Sequence, residues 1–443
     1  MSVVLMTIFI MVLIYFIIIS KKENIDVILF FITITFIYAC PRLPFLMLDP
    51  HSYKFSRYYS MDSSYLNMAL LYLVVGTMTF GAGLFAGSAF GYRKVQLRYE
   101  KDFLFHRSFI LIAVFTIIIF SLRYYAYVKW GYGRFFAMHG TGGLGGFGLK
   151  MVNYFLFGSV DTITFIFVGA AFIKKKYTYD FSKKLFMLLI FIYIAFRIMK
   201  GSKAGIYYLL LYFFIFKLIL DGDFKLKMGK VFLYSIPVIS LSIVTFFSGW
   251  ITRKTLVYGK YGGESLPIEV FSDLLHYREN PALEDFSFEP SNLLLMISRR
   301  LTFLDTLEML FSDRGLNPSK YVSTMNSIKA TINLILPGEF FPDSYPTSRL
   351  FAVMYHHVSF EFIKEIYNTP ILSVWGATYI HWGWIVGSIM MFVIAFFIGF
   401  GIQFLKRVNS KYRLLLLGWG FWNFHNLITA MGFEDSVELA LME

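Results

Sequence analysis

Cysteine is almost missing from this 443-residue chain: Cys40 is the single one. A disulfide within the chain is therefore impossible, and metal clusters built on several thiolates are excluded. Charge is also scarce, at 16% Asp, Glu, Lys and Arg, against about a quarter in soluble domains. No internal repeat is visible, which counts against a transporter built from two inverted halves. The Gly-rich stretch Thr141 to Gly148 lacks the Lys and Ser/Thr of a phosphate-binding P-loop and no strand precedes it. It reads as a flexible hinge.

What is present is apolar. Hydrophobic residues make up 57% of the chain and mean hydropathy is +0.61. Runs long enough to cross about 30 Å of hydrocarbon recur along it. They fall near 2–20, 25–40, 65–90, 108–128, 150–173, 185–199, 205–220, 231–249, 378–405 and 413–432. The expected fold is all-α, a polytopic integral membrane helical bundle with about ten spans (8–12) and one large extracytoplasmic loop. The whole chain, 1–443, is expected to form a single transmembrane domain. Residues 2–20 end in Lys21-Lys22 without a small-residue cleavage site, so they read as a retained anchor.

Charge counting orients the bundle. Five short connections (21–24, 92–107, 174–184, 221–230 and 406–413) hold 19 of the 41 basic residues in 49 positions. The long interruption at 250–370 holds 11 basic against 14 acidic residues. The positive-inside rule puts the short basic loops in the cytoplasm and 250–370 outside. The net charge of +13 and pI of 9.4 are thus a matter of topology. Nucleic acid is not an expected partner, since no compact basic and aromatic patch exists.

Charges near apolar segments are the candidates for function. Arg123, Asp161, Arg197 and Lys217 lie in or beside spans, where a charge faces protein or water, or snorkels from a helix end. Arg197, Lys200 and Lys203 surround the small residues Gly201, Ser202, Ala204 and Gly205 in a short outer turn. Cations beside the amides that open the next helix make an anion site; a tight helical hairpin is the plainer reading.

Within the large loop, residues 291–311 read as an amphipathic helix. Ser298, Thr302, Asp305 and Glu308 form one polar stripe. Such a helix would lie on the membrane surface or dip into it, with Arg299 and Arg300 at the stripe's edge. Arginine suits phosphate and carboxylate oxygens; anchoring to anionic lipid is the alternative. Leu336 to Pro342 reads as a rigid loop leading to Thr347-Ser348-Arg349. His356 and His357 with His381 do not make a metal site, because adjacent helical histidines point about 100° apart.

The order of these features resembles the oligosaccharide repeat-unit polymerases, the Wzy-type O-antigen and capsule polymerases. The pieces that carry the likeness are G-S-K-A-G at 201–205, R-R-L-T-F-L-D-T at 299–306 and L-P-G-E-F-F-P at 336–342. T-S-R at 347–349 and the apolar re-entry G-A-T-Y-I-H-W-G-W-I-V-G at 376–387 follow. The likeness covers residues 197–400; the first 190 match in hydropathy alone. One departure is Lys203, where the family's turn often has arginine, leaving a point charge in place of a fork.

The resemblance implies a metal-independent, cofactor-free glycosyltransferase in the bacterial inner membrane. It would polymerise undecaprenyl-pyrophosphate-linked oligosaccharides at the outer leaflet into O-antigen, capsule or exopolysaccharide. A flippase and a chain-length regulator are its expected neighbours. Cations near the leaving pyrophosphate would stabilise the transition state, and Arg197, Lys203, Arg299, Arg300 and Arg349 are the expected clamp. Asp305, Glu361 and His357 are the candidates to deprotonate the acceptor hydroxyl. Tyr379 and Trp382 are stacking candidates for sugar rings, or interface-belt residues. An O-antigen ligase-like transferase, or a transporter of lipid-linked sugars, would share much of this pattern; a membrane scaffold has no need of the clustered arginines.

Overall fold

Nineteen residues without Pro, Gly or charge, 2–20, make Ser2–Glu23 a helix (α1) whose last turn is Lys21-Lys22-Glu23. In a computed structural model of the protein, the described residues are 1–23, 25–48, 63–91, 205–221, 303–311, 323–335, 340–347, 349–351, 372–407 and 413–429. Single helical positions between 114 and 194 add to these. All regular structure among the described residues is helical. After α1 come α2 (Asp26–Ala39), a 3-10 turn at Cys40–Arg42, α3 (Leu43–Leu48) and α4 (Ser63–Phe90). Next are α5 (Gly205–Asp221), α6 (Leu304–Phe311), α7 (Thr324–Ile335), α8 (Ser373–Arg407) and α9 (Arg413–Thr429).

Four of the described helical segments are long and apolar enough to cross a membrane: Ser2–Glu23, Asp26–Phe45, Ser64–Phe90 and Ser373–Arg407. They match four of the expected runs. The helices α5 and α9, each of 17 residues, coincide with two more. The expected spans at 108–128, 150–173, 185–199 and 231–249 lie outside the described residues, apart from the single helical positions. Apolar side chains of α1 such as Met11, Ile14 and Ile18 stand exposed. That is compatible with lipid around them and points to membrane association.

The chain divides into two compact units. One comprises Met1–Arg98 with Phe288–Leu441, and the other Tyr99–Ser287 with the last two residues. In the second unit α5 begins at Gly205 and buries Tyr212, Ile215 and Phe216.

In the first unit the helices are ordered by close backbone approach. On α4, Gly83, Gly87 and Gly91 recur every fourth residue. A Cβ on Gly87 would fall against the carbonyl oxygen of Phe396, and one on Gly83 against that of Phe392. Without water to drive helices together in lipid, packing of this closeness is what holds them. Because Gly76 meets Met391 and Gly91 meets Gln403, α4 and the second part of α8 run parallel. Ser2 Oγ donates to Asn67 Oδ1 at 2.7 Å and Gly81 sits against Phe16, so α1 runs the same way. The Lys406–Asp26 ion pair then brings Asp26, Lys406 and Arg407 to the end where α1 finishes in Lys21-Lys22. This is the basic end.

The opposite end is polar in a different manner, because α8 is not one helix. Gly383 stands at φ 69° and ψ −164°, a left-handed conformation open to glycine. Residues 373–382 therefore run one way and 384–407 return beside them. Gly387 lies against Thr378, and both Trp375 and Met391 border Gly76. Trp375 is fully buried. It stacks on Phe303 at 4.8 Å and on Phe31 at 6.1 Å, and Phe31 stacks on Phe80 at 4.8 Å. This aromatic wall ties α2, α4, α6 and α8 together.

Candidate functional site

The charged part of the polar end starts at Pro41, which closes α2 and opens the 3-10 turn at Cys40–Arg42. That turn aims Arg42 into protein, where its side chain has no exposure. Its Nε donates to Asp305 Oδ1 at 2.9 Å, and the Asp305 side chain is 2% exposed. Asp305 sits in the first turn of α6, where the helix dipole also favours an anion. A buried pair of this kind is tolerated when the geometry is good and the charges match.

One turn further along α6 is Glu308, also buried, with Oε2 lacking a hydrogen-bond partner among the described residues. Burial first, and then the negative charge of Asp305, push its carboxyl up to about 8, with Arg42 pulling the other way. Among the described residues, Arg42 is thus the cation that acts on both carboxyls. The outer part of α6 ends at Phe311, whose ring lies 4.4 Å from Tyr379 and 5.8 Å from Tyr72. Tyr72 Oη and Thr378 Oγ1 are 3.2 Å apart.

Of the amphipathic helix expected at 291–311, on the membrane surface or dipping into it, only the C-terminal part is described. Its described part, Leu304–Phe311, is buried on every face. A polar stripe facing the headgroups would keep its carboxylates wet. Here Arg42 supplies the charge that lets Asp305 go inside, and the apolar positions pack on α4 and α8. Residues 291–302, including Arg299 and Arg300, lie outside the described residues.

A second cluster is made of two hydroxyls and an imidazole. Ser327 Oγ lies 3.2 Å and Thr347 Oγ1 3.0 Å from His381 Nε2, and the two hydroxyls are 3.5 Å apart. His381 stands just before the Gly383 break, which leaves it half-buried at the turn of α8. Ser327 comes from α7, and Thr347 is carried by a strap, 340–347, fastened to α7 at two points. Asn326 Nδ2 donates to Tyr345 O at 2.9 Å. Asn333 accepts from Phe341 N at 2.9 Å and donates to Phe341 O at 2.6 Å. Lys329 Nζ lies 5.6 Å from the Phe341 ring centre, within reach of a cation–π contact. The rigid loop expected at 336–342 is described from Phe340 onward, and there it is held in this way.

Of the candidate site residues, Asp305 is buried beside Arg42. Arg349 is half-buried one turn beyond the strap, with its amide donating to Pro346 O at 3.0 Å. Arg197, Lys203, His357 and Glu361 lie outside the described residues, as do Arg299 and Arg300. The sequence reading passed over Arg42, gave Glu308 only a place in a stripe, and weighed His381 only as a metal ligand. The signal for Arg42 was available: an arginine directly after Pro41 at the close of an apolar run has few places to put its charge.

No protein-family model, curated protein or solved structure matches this chain.

Proposed function

We propose that the protein is a multi-pass glycosyltransferase of the bacterial inner membrane. It polymerises oligosaccharide repeat units carried on undecaprenyl pyrophosphate, at the outer leaflet. The observation that supports this best is the carboxyl pair on α6, five to nine residues downstream of Arg299-Arg300. An acceptor hydroxyl needs a proton acceptor and the departing pyrophosphate needs cations, and the segment 299–308 carries both kinds of group. The positive-inside rule assigns the end of α2 with Lys21, Lys22, Lys406 and Arg407 to the cytoplasm. The carboxyl pair then belongs to the outer half, where lipid-linked repeat units are joined. On this reading Arg299, Arg300 and Arg349 are candidates for the pyrophosphate clamp, and the cations Arg197 and Lys203 are tested separately.

A surface-polysaccharide ladder from cells carrying Arg300→Ala, Arg349→Ala or Lys203→Ala tests it. Each variant should remain in the membrane and lose long glycan chains while single repeat units are still capped onto the acceptor lipid. Long chains in all three would sink the clamp.

One observation favours a second reading, a transporter of lipid-linked sugars. Helix α8 is broken at Gly383 and a protonatable carboxyl lies nearby inside the bundle, features that transporters use for coupling. A deletion strain that loses even the single-unit product would favour that reading over the polymerase.

A further inference from the structure

Among the described residues, the two carboxyls of Asp305 and Glu308 face the one guanidinium of Arg42, and the three are not all charged and matched in a dry site. We propose that Glu308 is the proton-exchange group of the polar end, and that Asp305 is its fixed counter-charge, held by Arg42. Resting on the polymerase reading, Glu308 is the terminal acceptor of the acceptor hydroxyl's proton.

The geometry divides the two acids. Asp305 has Arg42 Nε at 2.9 Å and a place in the first turn of α6, both of which favour the anion. Glu308 is equally buried, three residues on, so the two side chains lie on neighbouring parts of one helix surface. Its Oε2 has no hydrogen-bond partner among the described residues. A carboxylate buried in that state is strongly disfavoured, so the resting form is the acid. Among the described residues, few titratable or charged groups face α6. Arg42 comes from the 3-10 turn, Asp305 from α6 itself, and α4 and α8 bring the phenols Tyr72 and Tyr379 to Phe311. Arg42 and Asp305 are the charged pair among these, and they offset each other. The upward push on Glu308, to about 8, agrees with this division.

In the transfer step the hydroxyl proton passes to the ionised form of Glu308 as the acceptor oxygen bonds to the anomeric carbon. The anomeric C–O bond to pyrophosphate breaks, and its electron pair leaves on the phosphate oxygen. Glu308 then gives the proton to water. Only about one tenth of the site is ionised at pH 7 for a group near 8, but that fraction is a stronger base than an ordinary carboxylate.

Infrared titration of the full-length protein in lipid vesicles reads the site directly. A protonated carboxyl C=O band should persist above pH 6 and vanish as pH rises through about 8. Glu308→Gln, neutral and of the same shape, should lack that band. A wild-type protein without such a band, or a Glu308→Gln protein that keeps it, overturns the proposal. With a lipid-pyrophosphate-linked oligosaccharide as substrate, wild-type polymerisation should rise with pH towards 8, and Glu308→Gln should lose about 100-fold or more. Wild-type rates in Glu308→Gln overturn the role in transfer. A titrating band in a wild-type protein that makes no polymer leaves the proton site standing and removes the polymerase reading.

Discussion

The two polar clusters of the first unit solve opposite problems. Arg42, Asp305 and Glu308 are dry, charged and gathered from positions 263 residues apart along the chain. Ser327, Thr347 and His381 bring two hydroxyls and an imidazole, with Thr347 buried and the other two part-buried, within 54 residues of one another. A dry charge must be matched or it unfolds its surroundings, so the first cluster admits few arrangements. Hydroxyls and an imidazole at a half-open turn can exchange partners with water at little cost. The first cluster is thus suited to holding a defined charge state, and the second to meeting a polar ligand that displaces its internal bonds.

The sharpest way to break this contrast is Arg42→Met. It would remove the guanidinium that donates to Asp305 Oδ1, in a site that also holds the buried Glu308. Removal of one partner from a buried pair costs about 3–5 kcal/mol, read as a lower unfolding temperature in detergent. Replacing both partners, Arg42→Met with Asp305→Leu, should recover much of that loss. A single-variant loss below about 1 kcal/mol, the range of exposed pairs, would mean that the pair is wet.

The next effect concerns pH. Glu308 is raised from 4.5 in the open chain to about 8 in the fold. Between those values the folded protein binds more protons than the unfolded one, so stability falls as pH rises. The contribution is fully present below about 4.5 and is lost as pH climbs through about 8. At about 1.4 kcal/mol for each pH unit between 4.5 and about 8, it is on the order of 5 kcal/mol. Unfolding temperature measured from pH 5 to 8.5 should therefore slope downward in the wild type, and Glu308→Gln should flatten the slope. An unchanged slope would assign the pH dependence to another group.

The strap offers a smaller effect that belongs to the hydroxyl and imidazole cluster. Asn333 exchanges two hydrogen bonds with the Phe341 backbone, so Asn333→Ala should cost about 1–2 kcal/mol. It should also raise amide exchange at residues 340–347 before it touches α6. Equal loosening of α6 would mean that the two clusters are one cooperative unit.

How far this was readable beforehand depends on the kind of signal. The spans at 2–20, 25–40, 65–90 and 378–405 were legible because length and apolarity alone define them. The helix at 304–311 was also legible, yet its environment was not. A stripe of Asp305 and Glu308 looks the same whether it faces water or a buried cation, and the cation lies 263 positions upstream. The break at Gly383 was hidden for a related reason: G-W-I-V-G in an apolar run reads as continuous helix, and only the packing of Gly387 on Thr378 shows the return. Ser327 and Thr347 are ordinary residues whose meaning arises from the strap that brings them to His381.

The finest test of the contrast is in those two hydroxyls. Either one alone keeps His381 Nε2 supplied with a partner, at 3.0 or 3.2 Å. Ser327→Ala should therefore cost no more than about 0.5–1 kcal/mol, the net worth of one ordinary hydrogen bond, and Thr347→Ala about the same. The double variant should cost more than the sum, because it leaves the imidazole with neither hydroxyl and couples residues in direct contact. Additive losses in unfolding temperature would mean that water already takes the place of whichever hydroxyl is missing. The hydroxyl and imidazole cluster would then be a solvated surface feature, and the distinction from the dry ionic cluster would be wider still.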